Sequence, residues 1–133
     1  MILLDTSVVI ELVERRSGFS ACARWLQRYE PHQVHVSAIT IFEFESGLLD
    51  GSPSIRGRRT TWGRLLLAIK VEPLGSDIAS HAAQIVRTTA RLGRQIGGMD
   101  ALIAATAIGR GLSLATRDAD FDRIPELKVE NWQ

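Results

Sequence analysis

Short strand-like stretches alternate along this chain with segments of helical pattern, and that alternation restricts its fold more than any other feature. ILL (2–4), VHVS (34–37), KVEPL (70–74), LSLAT (112–116) and LKVEN (127–131) read as strands. Between them helices are expected over 8–14, 19–29, from 38 to about Leu49, within 55–69, from Ser76 to a stop at Gly93, and from Met99 to Gly109. Ser37 reads as a helix cap, DGSPS (50–54) as a turn or linker, and DADFDRI (118–124) as a short helical turn. Little hairpin chemistry joins the strands, so they pair in parallel through helical crossovers that cover both faces. The expected fold class is therefore α/β, three layers (α/β/α) around a central parallel sheet of four to five strands. A chain of 133 residues forms it as a single domain, 1–133.

Composition excludes several classes. Apolar residues make up 45% and charged residues 23%, the balance of an ordinary folded domain rather than a disordered one. Cys22 is the only cysteine, which rules out an intrachain disulfide and a cysteine-based zinc site. The first residues lack the basic start and small-residue cleavage site of a secretory signal, and no apolar run is long enough to span a bilayer. A cytoplasmic protein without membrane contact is expected.

In parallel α/β sheets, ligands bind beyond the carboxyl ends of the strands. Asp5 directly follows the first strand, Asp118 follows the fourth, and Glu43 lies within two turns of the start of the helix entered from the second. Asp100 opens the helix that leads into the fourth strand, and that helix runs antiparallel to it, so its first turn returns to the same edge. Each acid has a plain structural use. Asp5, Asp100 and Asp118 are placed to cap helical segments, and Glu43 reads as a solvated helix residue. Only their convergence from distant segments points to chemistry.

Crowded carboxylates raise one another's pKa unless a cation intervenes. An oxygen-only site favours Mg2+, with Mn2+ as a substitute, because His32, His35 and His81 lie outside the constellation. A metal held by acids activates a water for attack on phosphorus, which leads to phosphodiester hydrolysis giving a 5′-phosphate and a 3′-hydroxyl. Asp5 and Asp100 would hold the principal ion, and Asp118 would complete the site directly or through water. Glu43 would position or deprotonate the water, or help hold a second ion. Thr6 or Ser7, with Thr116 and Asp120 nearby, would support the carboxylates. The net charge of +1 conceals an arginine-rich inventory with only two lysines. Arg56, Arg58, Arg59, Arg87 and Arg91 are candidates for contact with an anionic backbone, the alternative being a solvated, ion-paired surface.

MILLDTSVVIEL at the start, VSAITIFEFESGLL (36–49), MDALIAATAI (99–108) and LATRDADFDRI (114–124) together resemble the successive motifs of PIN-domain ribonucleases. More narrowly they resemble VapC-type toxins of toxin–antitoxin pairs, nearly end to end. The resemblance assigns the family's acids to Asp5, Glu43, Asp100 and Asp118, with Asp120 as an alternative for the fourth. It singles out Glu43 over Glu45, which periodicity alone does not. It also implies an RNA substrate, a homodimer, and a cognate antitoxin that covers the active site and neutralises it with a basic residue. The apolar stretches around Trp25, Phe42, Phe44, Leu48 and Trp62 serve either such contacts or the core. Two other functions stand beside a ribonuclease toxin: a structure-specific DNA nuclease, and a catalytically silent binding protein. A phosphate-accepting Asp5 is set aside, because Ser7 stands where a haloacid-dehalogenase pattern needs a second Asp.

Overall fold

A computed structural model describes residues 1–15, 17–48 and 53–131, with Pro53 and Ser54 described by backbone alone. Five strands, β1 (Ile2–Leu4), β2 (Val34–Ser37), β3 (Lys70–Glu72), β4 (Ser113–Ala115) and β5 (Val129–Glu130), form one sheet in the order β3-β2-β1-β4-β5. Every pairing is parallel. Six helices connect them: α1 (Thr6–Glu14), α2 (Phe19–Leu26), α3 (Ala38–Ser46), α4 (Pro53–Ala68), α5 (Ser76–Arg91) and α6 (Gly98–Gly109). Short 3-10 turns occupy Pro31–Gln33 and Ala119–Arg123. The expected α/β three-layer class is the one observed.

Strand alternation builds the layers. Ile2 and Leu4 of β1 join Val34, Val36 and Ala115 in a cluster with Val8, Val9, Trp25, Phe44 and Trp62 from the helices of one face. Leu3 and Leu114 point the other way, into a cluster with Ile78, Ile85, Ile103, Ala104 and Phe121. A strand with apolar groups on both faces has no water-facing side, which is why β1 reads as a continuous apolar run. Each fully buried Leu or Ile contributes on the order of 1.5–3 kcal/mol. Trp25, Phe44 and Trp62 belong to this core, whereas Phe42 is 58% exposed and Leu48 half-buried, so the apolar stretches divide between interior and surface.

Element ends differ from expectation for local reasons. α1 begins at Thr6, two residues early, because Asp5 caps it. α2 stops at Leu26, three residues short, and the chain turns again at Pro31. α4 starts at Pro53, inside the expected linker, where proline's fixed φ suits a first helical position. Leu49 and residues 50–52 lie outside the described residues. β3 ends before Pro73, which has no N–H to donate to a ladder. Ser37 caps α3 as expected, accepting from Thr40 N–H at 3.1 Å.

The sheet order fixes where a site can form. From β1 the chain moves outward through β2 to β3, then returns to the other side of β1 for β4. The topological switch therefore lies between β1 and β4, the position where open α/β sheets hold their ligands. Among the described residues, no helix is long and apolar enough to cross a membrane.

Candidate active site

Asp5 stands at the carboxyl end of β1, at this switch, and its N–H extends the ladder by donating to Ala115 O at 3.0 Å. Its side chain is only 5% exposed and caps α1. Oδ1 accepts from Thr6 N–H (2.7 Å), while Oδ2 accepts from Ser7 Oγ (3.0 Å) and Thr116 Oγ1 (2.7 Å). Burial nonetheless raises the Asp5 pKa; the three donors oppose that rise and Glu43 adds slightly to it.

Thr6 and Thr116 join the remaining acids to Asp5. Thr6 Oγ1 donates to Glu43 Oε1 at 2.7 Å and also lies 3.2 Å from Thr40 Oγ1, so one hydroxyl ties α1 to α3. Thr116 Oγ1 accepts from Asp118 N–H at 3.0 Å, so the hydroxyl that supports Asp5 also positions the backbone of Asp118. Asp118 Oδ1 caps the following turn through Asp120 N–H at 2.9 Å. Asp100 lies in the first turn of α6, whose cap is Gly97 rather than Asp100 itself. The dipole of that helix end favours a negative charge. Even so, the Asp100 pKa rises to about 6, first through burial and then through Asp5, Asp118, Glu43 and Asp120 in that order.

The structure thus brings Asp5, Glu43 and Asp118 within electrostatic reach of Asp100. Asp120 is the more peripheral: it acts least on Asp100 and pairs with Arg123 at 3.2 Å. Asp5 and Asp118 are helix or turn caps as well as members of the cluster, so the structural and chemical readings hold together. Yet among the described residues no three acid, histidine or cysteine side chains are close enough to hold a metal ion as they stand. Asp5, Glu43 and Asp118 are each engaged by hydroxyl or backbone donors of the protein.

The candidate arginines are not part of this cluster. The charges that raise the Asp5 and Asp100 pKa values are carboxylates. Arg58 Nη1 lies 2.6 Å from Glu14 Oε1, and Arg56, Arg59, Arg87 and Arg91 are exposed on α4 and α5. The histidines stay outside it too, with His35 buried against Glu72 at 2.7 Å. A small cavity of about 100 Å³ between α5 and residues 124–126 contains none of the acids. Sequence reasoning passed over Thr40 as a partner of Thr6, although a threonine three residues after a capping serine is placed to reach it. It also passed over Glu11, 6% exposed, although an acid three residues after Val8 falls on the inward face of α1.

The chain belongs to the PIN domain family, whose profile matches residues 2–127. Its relatives are of VapC type, as the four motif blocks led us to expect. It is 33% identical to the VapC ribonuclease Y4jK of Sinorhizobium fredii, over 100% of this chain and 99% of that one. It is 35% identical to toxin FitB of Neisseria gonorrhoeae, over 89% and 88% respectively. Among solved structures, FitAB bound to the IR36 DNA fragment aligns over 100% of this chain and 96% of that one, with a TM-score of 0.85 and 30% identity. DNA-bound VapBC from Salmonella typhimurium aligns over 99% and 98%, with a TM-score of 0.86 and 25% identity.

Proposed function

We propose that this protein is a metal-dependent endoribonuclease of VapC type, the toxin of a toxin–antitoxin pair, which hydrolyses RNA phosphodiester bonds. The observation that carries the reading is Asp100, whose pKa four other carboxylates help to raise. A site with this surplus of negative oxygen suits a hard divalent cation, Mg2+ or Mn2+, and one carrying a phosphate ligand above all. Asp5 and Glu43 accept from protein hydroxyls, so their carboxylates would reorient to hold an ion.

Asp5 and Asp100 would hold the ion, with Asp118 completing the set. When bound, the ion supplies a water of lowered pKa and offsets charge on the phosphate oxygens. Thr6 orients Glu43 by donating to its Oε1. Glu43 would take a proton from the attacking water as the water oxygen bonds to phosphorus. The bond from phosphorus to the 3′ oxygen breaks, and that oxygen takes a proton from solvent. Ser7 and Thr116 oppose the rise that burial causes in the Asp5 pKa and fix its rotamer. The products are a 5′-phosphate and a 3′-hydroxyl.

Relatives named as ribonucleases support the reaction, and relatives solved as two-component VapBC and FitAB assemblies support an antitoxin partner. A basic antitoxin side chain placed among the acids would neutralise them as a cation does. Phe42, 58% exposed on α3 beside Glu43, and Leu67, 91% exposed on α4, offer apolar contact for the antitoxin or for a second copy in a homodimer. Sequencing of RNA ends after expression of wild type and Asp5→Asn tests the whole reading. Cleavage sites are expected in the wild type alone, and the same sites in both samples would overturn it.

A further inference from the structure

Beside the acid cluster lies a second charged arrangement, a partly exposed arginine paired with a buried carboxylate. Arg117 stands between Thr116 and Asp118, and its Nη1 donates to Glu11 Oε1 at 3.2 Å. The Glu11 side chain is 8% exposed and that of Arg117 is 41% exposed, so the carboxylate is sunk in the protein and the guanidinium straddles the surface. Gly18 is part of the arrangement. A Cβ there would fall 1.5 Å from Glu11 Oε1 and 2.9 Å from Arg117 Nη1, so a side chain at residue 18 would displace the pair from its present seat.

Burying a carboxylate is costly even when it is paired, and an apolar side chain on the inward face of α1 would avoid that cost. Glu11 instead holds one arginine in place. The place is informative. Arg117 and Glu11 line an open groove of about 420 Å³ together with Ser7, and Ser7 is the residue that donates to Asp5. Groove and acid cluster therefore meet at one hydroxyl.

We propose that Arg117, aimed by Glu11, is a substrate-binding residue that grips an RNA backbone phosphate next to the scissile one, an inference that rests on the ribonuclease reading above. A guanidinium presents a planar fork of donors that fits phosphate, and the Arg117 side chain is 41% exposed beside the acids. The charges that raise the Asp5 and Asp100 pKa values are carboxylates, and Arg117 serves the phosphate beside them. Glu11 is a positioning residue.

The test is binding of a short fluorescein-labelled single-stranded RNA of mixed sequence to the full chain. An Asp5→Asn background prevents cutting, and the salt concentration is varied. Arg117→Ala is expected to weaken binding about tenfold. It should also make the slope of log affinity against log salt shallower by about 0.7, one phosphate contact on a single strand. Arg117→Lys keeps the charge and should restore the slope. Glu11→Gln supplies a readout of opposite sign for the two explanations. Removing a negative charge tightens RNA binding if only overall charge matters, whereas losing the aim of Arg117 weakens it, and weakening is expected. Because Arg117→Ala strands a buried carboxylate, the double variant Glu11→Gln/Arg117→Ala serves as its folded counterpart and should bind as weakly. Unchanged affinity and slope in that double variant, with wild type cleaving RNA, would overturn the role of Arg117 alone. Wild type that cleaves no RNA with Mg2+ would overturn the ribonuclease reading and this inference with it.

Discussion

Asp100 shows how a candidate site trades stability for chemistry. Its pKa is raised from 3.8 to about 6 in the fold. The folded protein therefore binds that proton more tightly than the unfolded chain does. Metal-free stability should fall as pH rises from about 3.8 to about 6 and stay at the lower level above it. Asp100→Asn removes the repelling charge. Calorimetry should show a flatter pH dependence and a Tm higher by about 3 °C at neutral pH, while RNA cleavage is lost. A Tm below wild type would contradict the electrostatic account. Thr116→Val tests the support beneath the acids, since its hydroxyl donates to Asp5 and accepts from Asp118 N–H. Loss of both bonds is expected to cost about 1–3 kcal/mol in urea unfolding and about 10–100-fold in cleavage rate. Cleavage at the wild-type rate would show that Asp5 needs no such support. At this scale the sequence exposed the acids because strand ends and helix starts fix where they lie. The Glu11–Arg117 pair stayed hidden, since its members are 106 residues apart and each looks ordinary among its neighbours.

The helices carry these residues, and their ends decide whether the acids meet. α6 is buried along most of its length through Ala101, Ile103, Ala104, Ala105, Thr106 and Ala107, so its position is set by packing on α5 and the sheet. Its carboxyl end closes through Gly111, at φ +67°, with Gly111 N–H donating to Ile108 O (3.2 Å) and Leu112 N–H to Ala107 O (2.8 Å). This is a Schellman closure, which uses glycine because a Cβ is strained at that φ. Gly111→Ala should cost about 1 kcal/mol in urea unfolding, with cleavage per folded molecule unchanged, because the acids lie at the other end of the helix. A change in cleavage rate with little change in stability would mean that the closure reaches the site. Gly93 closes α5 in the same way, at φ +69°, with Arg94 N–H donating to Thr89 O at 2.8 Å. The stop at Gly93 was legible from sequence because a glycine after a periodic run is a local signal. The end of α2 at Leu26 and the start of α4 at Pro53 were less so, because packing and loop length decide them.

At the scale of the whole molecule, a net charge of +1 hides a local excess of negative charge at the switch between β1 and β4. Parallel order was legible from the alternation of strands and helices, and it alone places Asp5 and Asp118 on one edge. The distances among the carboxylates were not legible, because they depend on which hydroxyls compete for each oxygen. If the edge is a metal site, a cation relieves the repulsion and binds the folded chain alone. Mg2+ or Mn2+ should then raise Tm, with about 1.4 kcal/mol of stabilisation at ten times the dissociation constant. The sign with pH is fixed by Asp100. Below about 6 its carboxyl is protonated, so the metal must displace that proton, and the Tm increment should shrink as pH falls through that value. Asp100→Asn should abolish most of the increment at every pH while raising the metal-free Tm. Differential scanning calorimetry with and without Mn2+, from acidic to neutral pH, reads both effects. An increment that is independent of pH, or equal in wild type and Asp100→Asn, would place the bound ion somewhere other than these carboxylates.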